Sequence, residues 1–134
     1  MELNISFPAI TTIRLAVAAV WLYEGFWCKI LGKEPTQELV VNSVPKLGPQ
    51  FGRVFLKLLG VGEAALGIWV ISGWTPGMCA VFQAALLIVL NINGLLWARH
   101  IIRDPGGMVV KNAAFLVLAW ICGALPQTNF TASF

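Results

Sequence analysis

The chain has little of what soluble chemistry usually draws on. Charged residues make up 11% of its 134 residues, against about a quarter in an ordinary soluble domain. It holds one histidine, His100, so a haem gripped by two histidines of this chain is excluded. Its three cysteines, Cys28, Cys79 and Cys122, show neither a CxxC pair nor any other ligand spacing. That excludes zinc and iron–sulfur centres and predicts no bound metal. There is no phosphate-cradling glycine loop and no Ser/His/Asp set, so phosphoryl transfer and hydrolysis lack candidate machinery. The net charge of +3 is explained by topology and anionic headgroups, and nucleic acid is not implied.

What is present is apolar: 58% hydrophobic residues and a mean hydropathy of +0.81. A bilayer crossing takes about 20 such residues, and four runs qualify, at about 10–31, 54–72, 78–98 and 108–125. They are continuous and lack the in/out alternation of barrel strands, so they read as helices. The expected fold is all-α: an integral membrane four-helix bundle with antiparallel neighbours, one transmembrane domain over residues 1–134. The first run has no basic segment before it and no convincing small-x-small site, and is expected to stay in the mature chain. "SGWTPG", Ser72 to Gly77, is a tight turn that makes the second and third helices a hairpin. The first connection is long and divided by Pro35, Pro45 and Pro49; within it "TQELVVNSV" can form a short helix in the membrane interface.

Eight of the nine basic residues lie in or beside the first and third connections: Lys29, Lys33, Lys46, Arg53, Lys57, Arg99, Arg103 and Lys111. The positive-inside bias places these connections in the cytoplasm, and the hairpin turn and both termini outside. Depth then follows at 1.5 Å per residue: Lys29 at about 3 Å, Lys57 and Lys111 at about 5 Å, Asn112 at about 6 Å, Asn93 at about 8 Å, Glu24 and Asn91 at about 10 Å, and Glu63 at about 14 Å. All four helices thus send polar groups into one half of the membrane, while Arg14 and Gln83 interrupt the other half. Trp21, Trp69, Trp74 and Trp97 fall mostly where interfacial belts would put them.

The lysines have a simple explanation, since Lys57 and Lys111 can snorkel to headgroups. Glu63 cannot: a mid-helix carboxylate costs roughly 2.5–3.5 kcal/mol on insertion scales, so it should face the bundle with a partner or a proton. Gly60, Ala64 and Gly67 recur beside it at i, i+4 and i+7, a seam of small residues that admits another helix. Glu24 and Lys29 stand five residues apart, about 140° around an α-helix, which predicts no intrahelical pair. Lys29 would snorkel, and Glu24 would face inward near Glu63, Asn91 or Asn112. The candidate buried pocket is therefore Glu24, Lys29, Glu63, Asn91 and Asn112, with interhelical hydrogen bonding as the competing role for the asparagines. Two carboxylates close together in low dielectric would share a proton. Cys79 and Cys122 lie at similar depth, so a disulfide is conceivable, although inert buried thiols are the expected state.

"RLAVAAVWLYEGFWCKIL", "LKLLGVGEAALGIWVISGW" and "RDPGGMVVKNAAFLVLAW" resemble the DoxX-like family of small four-helix membrane proteins. The matching positions are Gly25 and Lys29 of a WxxxGxxxK stretch, Gly60, Glu63 and Gly67, and Asp104, Pro105, Gly107 and Asn112. The resemblance implies subunits associated with quinone-linked oxidation of sulfur compounds and terminal oxidases, partners of redox or stress enzymes, and a related group of receptor-assembly chaperones. It points to a bacterial inner (plasma) membrane and brings no catalytic residue. The leading expectation is a membrane subunit that binds a quinone-like molecule beside a redox partner, with no cofactor of its own. The alternatives are an assembly or scaffolding subunit without ligand and a small-solute transporter; no span carries the paired mid-helix Gly or Pro breaks of unwound transporter helices.

Overall fold

In the computed structural model, residues 5–45, 48–124 and 127–128 are described. The chain runs β1 (Ile5–Ser6), α1 (Phe7–Leu22), a π-helical segment (Tyr23–Ile30), α2 (Pro35–Asn42), α3 (Gly48–Ser72), α4 (Pro76–Trp97), α5 (Pro105–Ala124) and β2 (Gln127–Thr128). Four stretches are long and apolar enough to cross a membrane: Pro8–Ile30, Phe51–Ser72, Pro76–Trp97 and Pro105–Gly123. The chain is an all-α integral membrane bundle.

Each helix has a proline at or near its first position: Pro8, Pro35, Pro49, Pro76 and Pro105. At that place the missing N–H has no intrahelical acceptor to lose and the fixed φ is already helical. Side chains complete several caps. Ser6 accepts from the Ala9 amide at 3.4 Å, and Asp104 accepts from the Gly107 amide at 3.0 Å while its carbonyl accepts from Met108 at 2.9 Å. A Cβ at Gly107 would collide with the Asp104 carboxylate. The Asp104, Pro105 and Gly107 of the sequence motif are therefore a helix start.

The termini meet at one end, where β1 and β2 form a two-residue parallel pair with Ile5 opposite Gln127. The α3–α4 turn is held by Gly73 at φ 69° and Thr75 at φ 40°. The Trp69 indole pins it, donating to the Trp74 carbonyl at 2.7 Å and to Thr75 Oγ1 at 3.3 Å. Lys46 and the outermost residues of both termini, on which part of the orientation argument rests, lie outside the described residues.

The closest packings are α1 and the π segment against α3, and α4 against α5. The small-residue seam is where the first of these occurs. A Cβ at Gly25 would stand 2.5 Å from the Gly60 oxygen and 2.7 Å from the Ala64 nitrogen, and one at Gly67 would stand 3.0 Å from Leu22 Cγ. A second close approach joins α4 to α5, where a Cβ on Gly123 would strike the Pro76 carbonyl and Ala80. The apolar core, including Ile10, Val17, Trp21, Val70, Cys79, Ala119 and Cys122, lies toward the turn. All three cysteines are free and buried.

Candidate functional site

The π segment re-aims the side chains of the first span. Its hydrogen bonds run i→i+5, as in the Leu31 amide donating to the Phe26 carbonyl at 2.9 Å. The wider turn brings residues five apart nearer to one face, where an α-helix would set them about 140° apart. Glu24 and Lys29 consequently do pair: Lys29 Nζ lies 3.7 Å from Glu24 Oε2 and donates to the Glu24 carbonyl at 3.5 Å. The expectation of no intrahelical pair is corrected by this wider turn. The expectation that Lys29 snorkels is corrected with it, because Lys29 is only 7% exposed.

Lys29 is held inward by α3. Gly25 and Lys29 share the face that meets Gly60, and the Lys29 ammonium lies 2.8 Å from Glu63 Oε2, whose residue is 1% exposed. The Lys29 ammonium stands between the two carboxyl groups. Glu24 is the more exposed partner, with 41% of its side chain exposed, and its Oε2 accepts from Gln37 Nε2 of α2 at 2.9 Å. On the far side Asn112 Nδ2 donates to Asn91 Oδ1 at 2.9 Å, and Asn91 Nδ2 donates to the Leu87 carbonyl at 2.7 Å.

These groups line one cavity of about 360 Å³ on the α2 side of the apolar core. Glu24, Lys29, Glu63, Asn91 and Asn112 all border it, so the structure brings the five candidate residues together. The remaining walls are largely apolar, with Leu59, Leu90, Met108 and Phe115 among them. α2 packs on α3 and the π segment and adds Gln37, Val40 and Val41. The volume falls within the roughly 300–1,000 Å³ of small-molecule sites, and the mixture of apolar walls and a few convergent polar groups is theirs too.

Other polar residues lie elsewhere. Asn93 turns its amide back to the Val89 carbonyl at 2.9 Å and does not line the cavity. Lys57 donates to the Ile30 carbonyl at 2.8 Å, closing the end of the first span. Trp21 is not an interfacial residue: it is 2% exposed and its indole donates to Gln83 Oε1 at 2.8 Å, which satisfies a glutamine only 1% exposed. Gln37 was missed at the sequence level, since nothing in "TQELVVNSV" distinguishes a residue turned toward the bundle from one turned to water. Among the described residues no group of three or more His, Cys, Asp and Glu side chains is placed to hold a metal.

Four spanning helices around a cavity with an internal ion pair define a small polytopic membrane protein. Residues 18–120 match the DoxX-like family, and the chain belongs to it. No curated protein and no solved structure matches the chain.

Proposed function

We propose that the cavity binds the head group of a quinone-like molecule, and that the chain is a membrane subunit working beside a redox partner. The observation that carries this reading is the convergence of Lys29, Glu63, Asn91 and Asn112 on one cavity whose other walls are largely apolar. The donor set suits a neutral ring bearing carbonyl oxygens. Gln37 and Asn112 can donate to such acceptors, whereas an anion would have to compete with two carboxylates for Lys29. When bound, a quinone supplies a two-electron, two-proton acceptor, with the electrons coming from the partner protein. Glu24, half exposed and linked to Gln37, is placed to pass protons between the aqueous end and Glu63 through the Lys29 bridge. The orientation that goes with this reading has α2 and the α4–α5 connection cytoplasmic and both termini outside, in a bacterial inner membrane.

The scaffolding reading uses the same buried ion pair to fix helix register and needs no cavity; the cavity favours the ligand. The deciding experiment is equilibrium binding of a decyl-substituted benzoquinone to the purified chain in lipid nanodiscs. Saturable binding that weakens about tenfold in Asn112→Leu, roughly the loss of one hydrogen bond to a bound ligand, supports the site. A folded wild-type chain that binds no quinone leaves the scaffolding role.

A further inference from the structure

We propose that the seam between α3 and α4 is a lateral doorway through which a ligand dissolved in the bilayer reaches the cavity. This rests on the ligand-binding reading above. Around the bundle, α1 packs on α3, α4 packs on α5 and α1 reaches α5, whereas α3 and α4, though joined by a tight turn, meet sparsely. The weakest side of the bundle is thus between two consecutive helices.

The divergence leaves a groove of about 550 Å³ walled by apolar side chains such as Leu58, Phe82 and Val89, with Gly62, Ala65 and Ala85 also along it. At Gly62 an added Cβ would meet nothing within 4 Å, in contrast to Gly25, Gly60 and Gly67, which are pressed against the first span. This glycine therefore borders open space where the others serve close packing. Trp69 and Phe82, with ring centroids 5.5 Å apart, lie at the end of the groove toward the turn. At the other end Leu59 stands between the groove and the cavity, bordering both. A half-buried leucine rotamer is the kind of barrier that side-chain motion opens on fast timescales.

The occupant is the cavity's own ligand in transit. A chain moved from lipid into an apolar groove gains no hydrophobic free energy, since lipid tails are as apolar as leucine, so the groove governs rate and leaves affinity to the cavity. A rival route exists between α4 and α5, where a shallower groove of about 260 Å³ borders the cavity at Leu87, Asn91 and Asn112. Entry there would separate two closely packed helices and break the Asn112–Asn91 hydrogen bond. In the α3–α4 groove the indole hydrogen bonds of Trp69 lie at the turn, away from Leu59 where the groove borders the cavity.

The test measures association and release of radiolabelled decyl-benzoquinone, chased with unlabelled ligand, on the full chain in nanodiscs. Gly62→Trp fills the groove without touching the cavity, and Ala85→Leu is a smaller plug should the tryptophan perturb folding. Association and release are both expected to slow, by roughly tenfold for Gly62→Trp, while the equilibrium constant stays within about twofold of wild type. Ala113→Trp, in the α4–α5 groove, is expected to leave both rates unchanged. Wild-type rates in folded Gly62→Trp and Ala85→Leu, or slowing confined to Ala113→Trp, overturn the doorway while the cavity reading stands. Absence of any binding to wild type overturns the cavity reading and the doorway with it.

Discussion

Lys29 on the first span and Glu63 on the second meet at 2.8 Å with both residues nearly sealed from solvent. Removing Lys29 leaves Glu63 stranded in a low dielectric, whereas removing Glu63 leaves Lys29 with Glu24 at 3.7 Å. A buried pair of this kind is weak evidence for stability as a pair and strong evidence for dependence between its members.

Lys29→Met should therefore destabilise the chain by about 3–5 kcal/mol, whereas Lys29→Met with Glu63→Leu should recover most of that loss. Thermal unfolding in mild detergent, followed by circular dichroism, reads both. The double variant is also expected to lose quinone binding while staying folded, which separates the site from the scaffold. A double variant no more stable than Lys29→Met would show that the two residues do not depend on each other.

Gly25→Leu should be among the most damaging single changes in the molecule. Its Cβ would press on the Gly60 and Ala64 backbone at 2.5 and 2.7 Å, and neither atom can rotate away. A loss of about 1–3 kcal/mol or more is expected from forced separation of the helices. Gly62→Ala, eight residues before Val70 on the same helix but beside open space, should be neutral or gain up to about 1 kcal/mol from helix propensity. Similar damage from both changes would contradict the packing described.

Gln37→Ala should loosen α2 without unfolding the bundle, since it removes the 2.9 Å bond to Glu24. The Glu24 side chain is 41% exposed, so the change in global stability should stay below about 1 kcal/mol. Amide exchange is expected to quicken over Pro35–Asn42 and not over the spans. Uniform exchange rates in wild type and variant would mean that the bond does not hold α2 in place.

Asp104→Ala should cost about 1 kcal/mol through loss of the α5 cap, and Asp104→Asn should recover most of it. The measurement is again thermal unfolding. A functional defect in Asp104→Ala larger than its loss of stability would assign this residue a role beyond the cap.

Cysteines placed at Thr75 and Arg103 should label from opposite sides of the membrane, Thr75→Cys from outside and Arg103→Cys from the cytoplasm. The three native thiols are buried and give little background to an impermeant maleimide. Labelling of position 103 alone from outside would invert the orientation and place the cavity in the outer half.

The spans were legible because length and hydropathy alone define them, and Glu63 with its small-residue seam was legible because an acid in mid-membrane and a glycine spacing each have few explanations. The inward turn of Lys29 was not legible, because a lysine about 3 Å from the end of a span reads as one that snorkels. The pairing of Glu24 with Lys29 was not legible, since "YEGFWCKI" has no proline and its one glycine lies at the contact with α3. The wide turn accompanies packing against a helix more than thirty residues away. Trp21 donating to Gln83 and the Gly123 contact with Pro76 are of the same kind: local sequence names the groups, and only the fold supplies their distance. The sparse packing of α3 on α4 ran against the strongest local signal, because a tight turn fixes the near ends of two helices and says nothing about their far ends.

The π turn bears on how the chain enters the membrane in the first place. Synthesis proceeds from the N-terminus, so the first span is made while Glu63 is still unsynthesised, and a lone ammonium in it would be a poor passenger for hydrocarbon. Glu24 is made in the same span as Lys29, so one carboxyl group is at hand before α3 exists, and the π turn brings the two to 3.7 Å in the finished protein. Packing on α3 then adds Glu63 at 2.8 Å as a second partner, while Glu24 stays beside Lys29 as the first.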